Sequence, residues 1–468
     1  MNTQTKSSKC LSSNVLINKP FNVRLLFHYP YCCAQSNEMQ VFLEGNLSNQ
    51  KDLLSDIENT NKSFVAENDA QILLELFTQQ GVDCFKKLRG RWNAYIFIPQ
   101  SQKMYAVRDI LGCLALYYSE ENQYFTSSIL DTEIELNDKK KEEQIWRINN
   151  ESDLKYKKIK IIPCSSYFVL DLSKEIDYQI VTYYTIPYKN CKAGYNRYEE
   201  QLRFDDVRSL IFKALQKSLT NCSHVAAIYT GSMENAMLIC AAKKVSPQTE
   251  ITVFAFSGRL SKNSPPEQNI RSAGVKWVEV DCENDDNKIE KELFKSIVND
   301  GITTFISEYG CAKLFAGDSE CFVPFLRSLR NQWMWSNWCK ERIKARRSGI
   351  SSAKLKQIKS DFAKILKNNS IEVLNDYLYL RFADCLHLRN TYTAFITRFV
   401  STHLNILTPF CDDLELVEYV FSVPSTLKIH NGYDSYLLRN AMVGVVNEEV
   451  MWMKRPINTW ELLSLFDL

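Results

Sequence analysis

The stretch His224–Ala242, "HVAAIYTGSMENAMLICAA", is an apolar run, a tight Thr-Gly-Ser and a second apolar run. It predicts a buried strand, a turn at Gly231 and the start of a helix. A helix that opens from such a turn points backbone N–H groups and the positive end of its dipole outward, a form suited to cradling an anion. The residues after the turn, Met233, Glu234, Asn235 and Ala236, match no standard phosphate loop. The neighbouring segments continue the pattern. "FDDVRSLIFKALQKSL" before it reads as an amphipathic helix. "ITVFAFSG", a short helix and "VKWVEVD" follow it as further strand, helix and strand. Strands alternating with helices imply a parallel sheet covered on both faces. From about Phe322 helical patterns dominate, and within them lies a basic run from Lys340 to Lys367.

The earlier part of the chain reads differently. "MQVFLEGNLS" alternates apolar and polar residues, as a half-buried strand does. "NDAQILLELFTQQG" opens on a capping Asn, carries apolar residues at helical spacing and ends at Gly81. "WNAYIFIP", "KMYAVRDILGCLALYYS", "YFTSSIL" and "SSYFVLDLS" add strands, the second of these being two strands joined through Asp109 to Gly112. The polar, turn-rich "PYKNCKAGYNRYEE" marks the boundary, giving expected domains 1–195 and 196–468.

Composition narrows the function classes. The 468 residues hold 57 Lys plus Arg against 55 Asp plus Glu, so global charge singles out neither nucleic acid nor an acidic partner. No apolar run reaches the roughly 20 residues of a membrane span, and the N-terminal stretch has no continuous apolar core. The 15 cysteines are odd in number and form no Cys-x-x-Cys pair, which points to reduced thiols and a cytoplasmic setting. His28, His224, His387, His403 and His430 form no metal signature.

The order of segments resembles the asparagine synthetase family along nearly the whole chain. "VFLEGNLSNQKDL" is similar to that family's N-G-E-I-Y-N segment, and "VRDILGCLALYY" to R-D-x-x-G-x-x-P-L-Y-Y, with Ala115 at the proline. "AAIYTGSMENA" stands where the family has its pyrophosphate loop, S-G-G-x-D-S. "ISEYGCAKLFAGD" stands where it has S-G-E-G-A-D-E-L-F-G-G-Y, and "ILTPFCDDLELVEYVFSVPSTLKI" resembles its P-F-L-D…L-V-E…L-P…K segment. The resemblance implies an α/β fold. An Ntn-hydrolase-like sandwich comes first, then a doubly wound parallel sheet of the ATP-pyrophosphatase type with a helical C-terminal part.

The resemblance also implies chemistry, and the residues depart from it. The family's first domain uses an N-terminal cysteine and its own α-amine on glutamine. Here position 2 is Asn2 and the first cysteine is Cys10. Glu44 and Asn46 stand for the family's glutamine-holding Asn and Glu. Glutamine hydrolysis is therefore not expected.

The second domain's family reaction adenylates a carboxylate with ATP and Mg²⁺, and an amine then attacks. The carried-over nucleotide-binding positions are Thr230, Gly231, Ser232, Asn235, Phe254, Ser307 and Gly310. Glu234 stands for the metal-holding Asp of the loop, as catalytic and metal residue. The second acidic pair is replaced by Ala312-Lys313, a glycine by Glu308 and a lysine by Ser435, while Arg439 remains. Lys313 reads either as a fixed cation beside pyrophosphate or as a solvated surface lysine. Trp333, Trp335 and Trp338 read as ordinary packing.

Two functions stay open. One is an ATP-dependent amide ligase without glutaminase, resembling lasso-peptide cyclases and β-lactam synthetases and acting on a small-molecule or peptide carboxylate. The other is a non-catalytic binding or regulatory protein, partner of a peptide or an active paralogue. Neither a membrane nor a nucleic-acid partner is expected.

Overall fold

The computed structural model describes residues 13–17, 23–128, 159–171, 177–188, 197–256, 263–280, 286–318, 321–331, 333–345, 374–400 and 404–453. The chain divides into two compact units, Met1–Thr185 with Leu386–His403, and Ile186–Cys385 with Leu404–Leu468. The boundary expected at 195/196 falls outside the described residues, as do Asn2, Cys10 and most of the basic run.

The first unit is a sandwich of two sheets. One has the order β1 (Ser13–Ile17), β2 (Val23–Phe27), β8 (Tyr124–Thr126), β7 (Tyr117–Ser119), β9 (Ile159–Ile161). The other runs β11 (Asp177–Thr182), β10 (Ser166–Asp171), β6 (Lys103–Arg108), β5 (Gly90–Ile98), β4 (Gln40–Leu47), β3 (Tyr31–Gln35). Val23, Leu25 and Phe27 from the first sheet and Tyr95, Phe97, Phe168 and Leu170 from the second share one buried core. Alternation along β2 (buried, exposed, buried, half-buried, buried) shows why: only one face meets the other sheet.

Helix α1 (Gln50–Glu58) and helix α2 (Asp69–Gln80) follow β4, and α2 packs on β3 and β4. The Asn68 side chain accepts from the Gln71 N–H and Gly81 closes α2 with φ 58°, so both predicted punctuation marks act as caps.

The Arg-Asp-x-x-Gly motif is a backbone clasp. Buried Arg108 donates to the carbonyls of Leu114 (2.7 Å), Ile162 (2.9 Å) and Gly112 (2.7 Å). Asp109 accepts from the N–H groups of Leu111 (3.0 Å) and Cys113 (2.8 Å). Gly112, at φ 62°, leaves room for this, since a Cβ there would lie 2.8 Å from Arg108 Nη2.

The second unit is built on a parallel sheet ordered β14 (Lys276–Val280), β13 (Glu250–Phe256), β12 (His224–Tyr229), β15 (Thr304–Ile306), β16 (Asn405–Leu407). Helix α3 (Arg197–Leu219) precedes β12. Helices α4 (Met233–Val245), α5 (Pro265–Ser272) and α6 (Asp286–Asn299) make the crossovers. Strand order runs outward from β12 to β14 and then jumps back beside β12 at β15. Right-handed crossovers then put α6 on the face opposite α4 and α5, which makes the sheet doubly wound. They also open a crevice past the C-terminal ends of β12 and β15.

The remaining elements are helical: α7 (Cys311–Phe315), α8 (Phe322–Asn331), α9 (Trp335–Ala345), α10 (Leu374–Val400), α11 (Pro409–Asp412), α12 (Leu414–Ser422), α13 (Ser425–Lys428), α14 (Tyr436–Ala441) and α15 (Glu448–Met451). The expected packing of the tryptophans needs correction. Trp333, at φ 60°, is 81% and Trp335 49% exposed, while Trp338 is half-buried with its ring edge-on to that of Trp335, so packing holds for Trp338 alone. No helix of the described residues is long and apolar enough to cross a membrane.

Candidate functional site

The crevice at the switch point is where the opening stretch lies. β12 runs into Thr230, Gly231 reverses the chain at φ 74°, and Ser232 caps α4 by accepting from the Asn235 N–H at 2.9 Å. A serine cap of this kind is worth about 1 kcal/mol. Helix α4 is buried from Met233 to Ala242, which explains the second apolar run.

Strand β15 lies beside β12 in register Ala226 to Phe305 and delivers Ser307 and Glu308 opposite the turn. The Glu308 carboxylate closes on that turn. Its Oε1 accepts from Thr230 Oγ1 at 3.0 Å, and its Oε2 from Asn235 Nδ2 at 3.1 Å. Asn235 Nδ2 also donates to the Ile228 carbonyl at 2.9 Å. Burial raises the Glu308 carboxyl above the ordinary carboxylate range; its bonds to Asn235 and Thr230 pull it down, and the nearby Glu234 charge adds to the rise.

Glu234 is buried, and its Oε1 accepts from Ser435 Oγ at 3.3 Å. Ser307 is held by its N–H on the Leu407 carbonyl at 2.9 Å, and its Oγ accepts from the Tyr309 N–H at 3.2 Å.

The other positions turn elsewhere. Lys313 is no solvated surface lysine: its side chain is 11% exposed and pairs with Asp318, 8% exposed, at 2.9 Å. Phe254 is wholly buried in the middle of β13, between Ile228 and Val278 of the flanking strands. Arg439 is buried and braces backbone. It donates to the Asp434 carbonyl and to Asp434 Oδ1, each at 2.8 Å, and to the carbonyls of Met451 and, at 3.3 Å, Met453. Gly310 caps α7 at φ 79°, against Cys411.

Thr230, Gly231, Ser232, Glu234 and Asn235 thus share one turn, to which Glu308 is bonded, while Ser307 beside Glu308 is bonded to the backbone of Leu407 and Tyr309. Asp318 escaped the sequence reading: it lies five residues past Lys313, off any helical spacing, and a left-handed Ala316 (φ 58°) brings it back.

In the first unit Glu44 is wholly buried. Its Oε1 accepts from the N–H groups of His28 (2.8 Å) and Tyr29 (3.1 Å) and from Ser127 Oγ (2.6 Å). Asn46 is exposed. Burial pushes the Cys32 thiol up to about 11, so at neutral pH it is a protonated, unreactive group.

Residues 28–132 match a family described as "Glutamine amidotransferase domain" and residues 293–457 one described as "Asparagine synthase", together more than half the chain. The chain belongs to the asparagine synthetase family. A glutamine-hydrolysing asparagine synthetase 1 of Bacillus subtilis is 19% identical over 90% of this chain and 77% of its own length. A Methanocaldococcus jannaschii protein provisionally named as glutamine-hydrolysing asparagine synthetase 2 is 22% identical over 41% of this chain and 38% of its own. Among solved structures, the glutamine phosphoribosylpyrophosphate amidotransferase of B. subtilis matches with 13% identity. The match spans 59% of this chain and 62% of that one at a TM-score of 0.22, too low to bear on the fold.

The asparagine synthetase family is ATP-dependent, and magnesium accompanies ATP there. Magnesium takes hard oxygen ligands, typically one or two carboxylates with waters and phosphate. Glu234 offers one carboxylate, already bonded to Ser435. The Glu308 carboxylate is bonded to Thr230 and Asn235, and the acidic pair is Ala312-Lys313. These residues do not fit the ion as the family holds it, and no step of chemistry here runs through it.

Proposed function

We propose that this asparagine synthetase family member keeps the nucleotide-binding fold without metal-dependent adenylation, and works as a binding or regulatory partner of a peptide or of an active relative. The Lys313–Asp318 pair carries this reading. Where the family places metal-holding acid, the charge is reversed and then neutralised within the protein. Adenylation rests on cationic stabilisation of phosphate charge worth several kcal/mol, and a lysine already matched to a buried aspartate supplies little of it. Glu44 in the glutamine pocket position and the unreactive Cys32 argue against glutamine as an ammonia source. Free thiols throughout the described residues suit a reducing, cytoplasmic setting.

A second reading, an amide ligase that needs no glutamine, is favoured by the convergence of Thr230, Ser232, Glu234 and Asn235 on one well-capped turn. Isotope exchange between ATP and pyrophosphate, run across a panel of carboxylates and peptides, separates the two. The first reading expects no exchange above background. Exchange that disappears in Glu234→Gln would establish the ligase instead.

A further inference from the structure

We infer that Glu308 is an internal anion standing in the cradle, and that the cradle beneath it can still hold phosphate. The inference rests on reading this turn as a phosphate loop, as proposed above, and asks what has become of it. The scaffold is intact: a parallel strand, a glycine in the left-handed region, a serine cap and a thirteen-residue helix. What differs is the occupant. A carboxylate presents paired anionic oxygens much as a phosphate does, and both Glu308 oxygens are seated on side-chain donors of this turn, Thr230 and Asn235. While they stay there, those donors are spent, and an incoming phosphate meets a like charge.

Two further observations bear on the cradle. The adjoining β15 is pinned at its end, where the Ser307 N–H bonds the Leu407 carbonyl, so Glu308 is presented to the turn by the sheet itself. The Asn235 amide leaves its Oδ1 wholly buried with no partner among the described residues. A phosphate, being an acceptor, would take up the Asn235 Nδ2 that now donates to Glu308 and leave this oxygen as it is. Glu308 therefore determines what the site admits: one side chain, rather than the loss of the loop, keeps phosphate out.

The test is isothermal titration of the full chain with inorganic pyrophosphate in metal-free buffer. The wild type is expected to bind too weakly to measure at millimolar ligand. Glu308→Ala should bind at least tenfold tighter, and Glu308→Gln, which drops the charge but keeps the shape, should show a smaller gain. Adding Thr230→Val to Glu308→Ala should remove most of the gain. If both Glu308 variants keep the wild-type circular dichroism and bind no better than wild type, the inference fails. It fails equally if wild type binds as tightly as Glu308→Ala. Should Glu308→Ala not fold, the isosteric Glu308→Gln decides alone. ATP–pyrophosphate exchange by the wild type would sink the proposed function, a different result from an absent gain in these titrations.

Discussion

Glu44 shows how much one substitution can change while the fold stays. Its Oε1 takes three hydrogen bonds, yet Oε2 is buried with no partner among the described residues. Burial raises its carboxyl above the ordinary range, with the bonds from Ser127, His28 and Tyr29 opposing; Tyr95 and His28 are the titratable groups whose charge couples to it. A carboxyl whose folded pKa is raised contributes stability that is full below its unfolded pKa and is lost as pH rises through the folded one. Glu44→Gln removes the buried titrating carboxyl and should therefore flatten the fall in urea midpoint between pH 4 and pH 8. A gain of about 1 kcal/mol at pH 8 is expected, from a cost of about 1–3 kcal/mol for an unmet buried group. Equal pH slopes for wild type and variant would refute this. The substitution was legible as a departure from the family pattern, but its consequence was not, because burial of a carboxylate depends on the opposing sheet.

Element boundaries tell a similar story. Long segments with caps, such as α2 between Asn68 and Gly81, read directly from the sequence. The three-residue strands β15 and β16 did not, since so short a run has no period to detect, yet they create the switch point that forms the crevice. Between β15 and α7, Gly310 is required by two separate constraints. Its φ is 79°, and an added Cβ would fall 1.9 Å from Cys411 Sγ and 3.3 Å from Cys385 Sγ. Gly310→Ala should cost about 2–4 kcal/mol, combining roughly 1 kcal/mol of left-handed strain with about 1–3 kcal/mol of overpacking. Pairing it with Cys411→Ala should return the packing part and leave the strain, as read by denaturant unfolding. A double variant no more stable than Gly310→Ala would show that the thiol is not what the methyl meets.

At the scale of the molecule, each unit carries its own sheets and its own core, and the chain crosses between them more than once, since Leu386–His403 belongs with the first. That return could not be read from sequence, where the helical pattern of α10 runs on without a break. Two compact cores imply two unfolding transitions rather than one. Scanning calorimetry with one substitution in each unit checks this. Asp318→Asn removes the carboxylate paired with buried Lys313, a loss of about 3–5 kcal/mol confined to the second unit. Glu44→Gln acts within the first. The expected result is that Asp318→Asn lowers one transition by several degrees, Glu44→Gln raises the other, and each leaves its neighbour in place. If both substitutions shift a single transition, the units unfold as one, and stability differences could no longer be assigned to either site alone.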